Sequence, residues 1–123
     1  MAVPDKDFRE YYSTIKEKIE KAGLRYVVYG HYGNSHMHLN FLPANQEEYI
    51  KAGNLYKEIC LDAIKLKGTF SAEHGVGKSK REYLLEMYGE DTVKNMAALK
   101  KVFDPNSILN IGNIFDEKYL KDL

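Results

Sequence analysis

The sequence is poor in the residues that mark secreted, disulfide-bonded or membrane-spanning proteins. Its one cysteine, Cys60, excludes an internal disulfide and a cysteine-rich zinc site. No apolar run approaches the roughly 18 residues of a membrane span, and the first residues lack the apolar stretch of a signal peptide. We therefore expect a cytoplasmic protein.

An excess of charge of either sign is also missing. The 18 basic residues balance the 18 acidic ones, whereas nucleic-acid binders usually carry a basic face. The one local basic run, at residues 78–81, is interpreted as a solvated helix start. We expect no nucleic-acid partner, and a length of 123 residues fits one folded domain.

Hydrophobic periodicity predicts two long helices and a hairpin in the first half of the sequence. Apolar residues recur at three- and four-residue steps over 5–22 and 46–67, the spacing of a buried helical stripe. Gly23 suits the left-handed conformation that ends the first helix. The residues over 24–29 and 35–42 predict two strands joined by a turn.

The second half predicts shorter elements. A short strand is expected over 68–72, and helices are expected near 80–87 and 91–103. Pro105 stops the last of these, because a residue before proline avoids the α region. The apolar residues over 108–115 are interrupted by asparagine and glycine, which predicts an extended or looped tail.

The order helix–strand–strand–helix–strand predicts an α+β fold: a partial ferredoxin-like antiparallel sheet with helices on one face, followed by a helical C-terminal segment. The opening strand of that pattern is absent from the prediction, which would leave backbone groups unpaired at an edge or a gap. Either a neighbouring chain fills the gap or the sheet is rearranged, and we expect a fragment of a larger protein.

Three of the four histidines lie within a short segment of the predicted hairpin. His31 is expected at the end of the first strand, and His36 and His38 stand on the second. Residues two apart on a strand face the same side, so the last two share a polar face with Asn40, opposite an apolar core face. Imidazoles that converge in this way suit a divalent metal at about 2.0–2.2 Å.

A carboxylate would complete such a site, and the candidate is Glu73 in the small-residue loop over 71–77. His74 follows it directly, and an acid beside an imidazole among glycines is typical of a catalytic loop. Two alternatives stay open. One is a stand-alone metal-binding module or small hydrolase, and the other is a ferredoxin-like interaction module with structural histidines.

Three motifs in this order resemble the C-terminal region of the FAD-linked oxidase family, which includes D-lactate dehydrogenase, the glycolate oxidase flavin subunit and D-2-hydroxyglutarate dehydrogenase. The family pattern is similar to Gly-His-x-Gly-Asp-Gly-Asn-x-His, then Ala-Glu-His-Gly-x-Gly, then Leu-Asn-Pro-Gly-Lys. In this sequence the motifs stand at residues 30–38 (GHYGNSHMH), 72–77 (AEHGVG) and 109–113 (LNIGN).

The resemblance implies that His31, His38 and Glu73 hold a divalent metal such as zinc or manganese. His74 would be the base that takes the hydroxyl proton of a small 2-hydroxy acid, while hydride leaves the α-carbon for the flavin. A neutral imidazole with a pKa near the operating pH is a competent base.

The resemblance also implies what must come from elsewhere. Asn110 and Gly112 would lie beside FAD, on a tail over 104–123 that packs on an FAD-binding domain. Residues 1–123 would then be a single C-terminal domain, inactive without that domain or subunit. Surface exposed by truncation favours a homo-oligomer. We expect the full enzyme to be cytoplasmic, with peripheral association with a membrane as an alternative.

This sequence departs from the family pattern at two places. Where Asp-Gly-Asn is usual it has Asn34, Ser35 and His36, which removes an acidic partner for an imidazole and adds a third imidazole. Asn34 and His36 are therefore substrate-side or accessory candidates. The tail has Ile111 and Asn113 where proline and lysine are usual.

Overall fold

A computed structural model describes residues 1–121, and the last two residues of the predicted tail, 122 and 123, lie outside the described residues. The chain divides into two compact units, Met1–Ala72 and Glu73–Leu123. Helices and a small antiparallel sheet occur together, which confirms the predicted α+β class.

The first unit contains two long helices and a hairpin. Helix α1 spans Asp5–Ala22 and helix α2 spans Gln46–Lys65, while strands β1 (Tyr26–Tyr29) and β2 (His38–Phe41) pair antiparallel. All four elements were predicted. Both strands are shorter than expected, and residues 35–37 bond instead to the first residues of the chain.

The first three residues take the place of the opening strand that the sequence analysis considered absent. Ala2 forms antiparallel bridges to His36 on one side and to Thr69 on the other. The backbone N–H of Met37 donates to the carbonyl of Met1 at 2.9 Å. The expectation of a missing strand is therefore corrected, and so short a segment carries too few side chains to show a hydrophobic period.

The short strand expected over 68–72 is reduced to the single bridge at Thr69. The backbone N–H of Ser71 donates to the Thr69 hydroxyl at 3.2 Å. Such local side-chain bonds compete with strand pairing, and they turn the chain away from the sheet.

A hydrophobic core joins the helices of the first unit to one face of the hairpin. The intervening apolar residues of the predicted core face behave as expected, because Met37 and Leu39 are buried and Phe41 is half-buried. Cys60 is fully buried and acts as a small hydrophobic residue. The other buried apolar side chains of the segment from α1 to the end of the unit are Tyr11, Ile15, Ile19, Leu24, Ala52, Ile59, Ala63 and Phe70.

The second unit is helical with an irregular tail. Helix α3 spans Arg81–Phe103 and is interrupted at Gly89, whose φ of 78° and ψ of 166° are not helical, so the two predicted helices are confirmed. A short helix α4, Lys118–Lys121, was not predicted. The buried cluster of this unit consists of Val93, Ala97, Phe115, Tyr119 and Leu120. Among residues 1–121, no helix combines the length and apolarity needed to cross a membrane.

Candidate metal and substrate site

The structure brings three of the predicted site residues, His31, His36 and His38, together in the first unit. Each offers a ring nitrogen, and these nitrogens lie within 4.8 Å of one another. A metal about 2.0–2.1 Å from each nitrogen in tetrahedral geometry holds them about 3.3 Å apart. For the three nitrogens to bind one metal, the distances between them would therefore have to shorten by at most about 1.5 Å, given the 4.8 Å limit.

A tight turn after β1 folds His31 back toward the second strand. The His31 carbonyl accepts hydrogen bonds from the backbone N–H groups of Asn34 at 2.8 Å and His36 at 3.3 Å. The residues between them form a single 3-10 turn, Tyr32–Asn34. The backbone itself thus sets the approach of the first imidazole to the other two.

Gly30 is needed for that turn. Its φ is +146°, and a Cβ at this position would lie 2.8 Å from both the His36 carbonyl oxygen and the Met37 Cα. Only glycine allows so close a backbone approach. At the other end of the turn Ser35 adopts a left-handed φ of 50°, and its hydroxyl donates to the Asp5 carboxylate at 2.6 Å, which ties the turn to α1.

The three imidazoles differ in burial. His31 is exposed, His38 is half-buried and His36 is buried with 6% of its surface exposed. The cluster thus runs from solvent into the interior, with His31 on the solvent side. Asn34, the remaining accessory candidate of the hairpin, is exposed within the turn.

Tyr29 belongs to this site, although the sequence analysis did not single it out. Its ring stacks on His38 at a centroid distance of 4.9 Å, and its hydroxyl accepts a hydrogen bond from the Asn40 amide at 3.2 Å. Tyr29 lies directly opposite His38 in the strand register. The pairing of the two predicted strands could have identified Tyr29 as a neighbour of His38, because side chains directly opposite each other on paired strands are in contact.

Glu73 and His74 open the second unit. A carboxylate oxygen of Glu73 lies 3.4 Å from Nε2 of His74, and both side chains are substantially exposed. Gly75 and Gly77 follow with left-handed φ values of 69° and 58°, so the predicted loop is an irregular segment that needs glycine. The meeting of these two side chains with the three histidines stays a prediction.

Asn110 and Gly112, the residues predicted to face the flavin, also have left-handed backbones, with φ values of 47° and 75°. The Arg81 guanidinium donates to the Gly112 carbonyl at 3.2 Å. The backbone N–H of Ile114 donates to the Gly77 carbonyl at 3.0 Å. The tail is therefore attached to the end of the glycine loop and to the first residue of α3.

Asp104 fixes the other end of the tail. Its carboxylate accepts from the backbone N–H groups of Ile108 and Leu109, each at 3.0 Å, and from the Lys100 ammonium at 2.7 Å. These hydrogen bonds, led by the one from Lys100, lower the pKa of Asp104 to about 2. From the sequence, only the end of a helix was predicted here, from the proline that follows Asp104.

The second unit also carries exposed apolar side chains near the tail, which we name the apolar tail surface. Those of α3 recur at the three- and four-residue spacing that defines one face of a helix. Within the tail, Ile108 and Leu109 are exposed, whereas Phe115 is buried. The apolar tail surface consists of Leu99, Val102, Phe103, Ile108 and Leu109.

Comparison with known proteins gives consistent matches. A family model for FAD linked oxidases, C-terminal domain, matches residues 1–114. The chain is 40% identical over 115 residues to the mitochondrial D-lactate dehydrogenase [cytochrome] of Kluyveromyces lactis, covering 94% of this chain and 20% of the relative. It is 40% identical over 93 residues to D-2-hydroxyglutarate dehydrogenase of Stutzerimonas stutzeri, covering 72% and 20%.

A third relative is the glycolate oxidase subunit GlcD of Bacillus subtilis, 32% identical over 115 residues, covering 92% of this chain and 24% of the relative. The chain thus spans about a fifth to a quarter of the length of these curated relatives. The family match includes the histidine hairpin, the glycine loop and the tail motif. The resemblance drawn from the sequence motifs is therefore confirmed, and the chain belongs to the FAD-linked oxidases as their C-terminal domain.

Proposed function

We propose that this chain is the substrate- and metal-binding part of an FAD-dependent 2-hydroxy-acid dehydrogenase or oxidase with a D-lactate-like or glycolate-like substrate. The observation that carries the proposal is the cluster of ring nitrogens from His31, His36 and His38 within 4.8 Å, in a domain of this family. The names of the relatives specify lactate, hydroxyglutarate and glycolate, and all three are small 2-hydroxy acids.

The donor set fits a divalent cation such as zinc or manganese. His31 and His38 supply imidazole nitrogens, and Glu73 supplies a carboxylate oxygen. Two nitrogens and one oxygen are a common protein ligand set for a metal that keeps a position open for substrate or water. Asn34 and His36 line the same hairpin as accessory residues on the substrate side.

The covalent chain supports the approach of Glu73. Thr69 and His36 flank Ala2 in the bridged segment, so about two strand spacings, or about 10 Å, separate their backbones. The four residues from Thr69 to Glu73 span up to about 13 Å when extended. A carboxylate at position 73 is therefore within reach of the hairpin.

The chemistry divides between the bound groups and the chain. A divalent cation supplies polarisation of the substrate hydroxyl and carboxylate, and FAD supplies the hydride acceptor. His74 takes the hydroxyl proton, and its exposed side chain gives substrate access to the ring.

The tail contributes the flavin side of the site. Asn110 and Gly112 approach the flavin, and the bond from Arg81 to the Gly112 carbonyl holds them. The sequence contains no G-x-G-x-x-G phosphate-binding motif, and an FAD-binding domain or subunit would hold the dinucleotide. Residues 104–123 and the apolar tail surface face that domain.

Three further expectations accompany a site that is shared between this chain and an FAD-binding domain. The isolated chain has no flavin absorbance and no dehydrogenase turnover, because the hydride acceptor is bound elsewhere. Its exposed apolar tail surface favours self-association, which analytical ultracentrifugation over a wide concentration range tests. For the whole enzyme we propose a cytoplasmic location, with peripheral membrane association as an option.

Metal binding by the full chain is the first test. The chain is stripped with a chelator and titrated with Zn²⁺ and Mn²⁺, with the melting temperature and binding isotherm as readouts. We expect binding, and a loss of at least about 100-fold in affinity in His31→Ala and His38→Ala, since a removed ligand costs at least as much as a removed supporting residue. Asn54→Ala, at an exposed position of α2, is the matched control and retains binding.

A wild-type chain whose melting temperature moves with neither metal contradicts the metal site and favours the structural histidines of an interaction module.

Activity is the second test. The chain is combined with an FAD-binding domain, on the same polypeptide or as a separate subunit, and D-lactate and glycolate are assayed by reduction of a dye. His74→Gln lowers turnover by about 10²–10⁴-fold, whereas metal-dependent hydrolysis by the isolated chain supports the hydrolase alternative instead.

A further inference from the structure

The proposed ligand set includes His31 and His38 but gives His36, the third histidine of the cluster, only an accessory role. We infer that it is a third imidazole ligand, so that this chain holds its cation through three nitrogens and one carboxylate and prefers zinc to manganese. The inference rests on the metal site proposed above and deepens it.

The geometry of His36 is at least as favourable as that of the two other imidazoles. Its ring centroid is 4.6 Å from that of His38 and 5.5 Å from that of His31, the two shortest separations in the cluster. His31 and His38 are 6.5 Å apart, so His36 is the ring closest to both. A cation that bound the outer pair without this ring would still lie against it.

The backbone of His36 is fixed on both sides. It bridges to Ala2, and its N–H donates to the His31 carbonyl at 3.3 Å. The side chain is also buried, with 6% exposure, so little conformational entropy remains to be lost when the ring binds a cation. A ligand held in place before binding raises affinity, because the ordering cost is met during folding.

A third imidazole changes the metal that the site prefers. Imidazole nitrogen suits zinc, copper, nickel and iron, whereas carboxylate and water oxygens suit manganese. A ligand set of two nitrogens and one oxygen discriminates weakly between zinc and manganese, and a third nitrogen favours zinc. With four protein ligands, zinc would take the substrate as a fifth ligand, a coordination number that it reaches in some catalytic sites.

The test compares the wild-type full chain with His36→Asn and His36→Gln. Zn²⁺ and Mn²⁺ are titrated separately in the presence of a competing chelator, which gives the ratio of the two affinities. We expect zinc affinity to fall at least about 10-fold and manganese affinity to change less, so the ratio falls by a similar factor. Asn54→Ala, at an exposed position of α2, keeps the wild-type ratio.

Cobalt provides a spectroscopic readout that a purely structural role would not move. Co²⁺ replaces Zn²⁺ in nitrogen-rich sites and its visible bands report the ligand set, so loss of one imidazole changes their position and intensity in both variants. Each variant is compared with its own metal-free melting curve, which separates loss of folding from loss of a ligand. Two variants that differ in side-chain length keep one measurement available if the other folds poorly.

The outcomes separate the two proposals. A wild-type chain that binds none of the three cations overturns both. Binding that is lost in His31→Ala and His38→Ala, but unchanged in affinity ratio and cobalt spectrum in the two His36 variants, overturns only the third ligand. A reduced zinc-to-manganese ratio with altered cobalt bands in folded His36 variants supports it.

Discussion

The two units position their polar residues by different means. In the first unit the imidazoles stand on a hairpin whose other face is buried, with Met37 only 1% exposed. In the second unit the loop and tail are attached by hydrogen bonds to charged side chains, chiefly those of Arg81 and Asp104. Burial is insensitive to pH and salt, whereas charged hydrogen bonds respond to both.

This difference suits the roles proposed for the two units. A metal site needs ligands held to within a fraction of an ångström, and a buried core provides that rigidity. A substrate loop and a tail that docks on a partner must adjust, and irregular segments with left-handed glycines such as Gly75 and Gly77 adjust more readily than strands. The comparison predicts large effects of core changes in the first unit and pH-dependent effects in the second.

The largest effect is expected from Ile59→Ala in α2. Ile59 has 0% exposure, and truncating a buried isoleucine costs about 2–5 kcal/mol because a cavity remains. The matched control is Ile50→Ala in the same helix, since Ile50 is 56% exposed and surface changes stay within about 0.5 kcal/mol. Urea unfolding followed by circular dichroism measures both, and equal losses would contradict a core-based first unit.

The next largest effect is expected from Gly30→Ala. The added Cβ would overlap the backbone at His36 and Met37, so we expect a loss of roughly 1–3 kcal/mol from overpacking and strain. The control is Gly53→Ala, where a Cβ meets nothing within 4 Å; within α2 it should add about 0.5–1 kcal/mol of stability.

The same pair of variants tests the hairpin as a metal scaffold. Gly30→Ala displaces His31 from the cluster and weakens zinc binding, while Gly53→Ala leaves it unchanged. A Gly30→Ala protein that keeps both its stability and its zinc affinity would show that the turn does not depend on close backbone approach.

Tyr11→Phe should have a smaller effect. The Tyr11 hydroxyl donates to the Ile59 carbonyl at 2.8 Å, and its loss leaves a buried acceptor, at about 1–2 kcal/mol. Burial, assisted by the nearby Cys60 and Asp62, raises the pKa of Tyr11 well above its usual value. Because the folded pKa is raised, this tyrosine stabilises the protein fully below about pH 10 and loses that contribution as the unfolded phenol ionises above it.

Ultraviolet absorbance of the phenolate measures that titration. Because burial raises its pKa, Tyr11 should ionise only with loss of the fold, so its phenolate absorbance should appear together with the change in circular dichroism. In Tyr11→Phe, the part of the phenolate absorbance that appears on unfolding because of Tyr11 is lost. A full set of tyrosines that titrates before the circular dichroism changes would contradict the buried hydrogen bond.

The sequence predicted the features that arise from local patterns. Gly23 ends α1 with a φ of 66°, as its lack of a side chain favours. The alternation that assigned Met37 and Leu39 to the core also placed His38 on the opposite face. Chemistry and spacing together brought the three histidines to one hairpin, because two of them share a strand and the third follows its partner strand.

Features that depend on distant parts of the chain were not predictable. Ala2 completes the sheet through bridges to His36 and Thr69, and a single residue has no period. Helix α4 is four residues long and exists because its side chains join the buried cluster of α3. The network around Asp104 was missed because a loop's hydrogen bonds depend on its conformation, which composition does not specify.

The smallest effect is expected from acid titration of Asp104, and it tests the charge-based attachment of the second unit. In the folded protein the pKa of Asp104 is lowered to about 2 from its ordinary value of 3.8, so the carboxylate stabilises the fold above about pH 4. That contribution is lost as the pH falls toward 2, because protonation weakens the bond from Lys100 and the backbone bonds from Ile108 and Leu109. Amide hydrogen exchange at those two N–H groups should accelerate over this window relative to β2 of the first unit. Asp104→Asn should already exchange fast at pH 6, whereas Asp91→Asn on the surface of α3 should behave as wild type. Protection that stays constant from pH 4 to pH 2 would mean that burial, rather than charge, holds the tail.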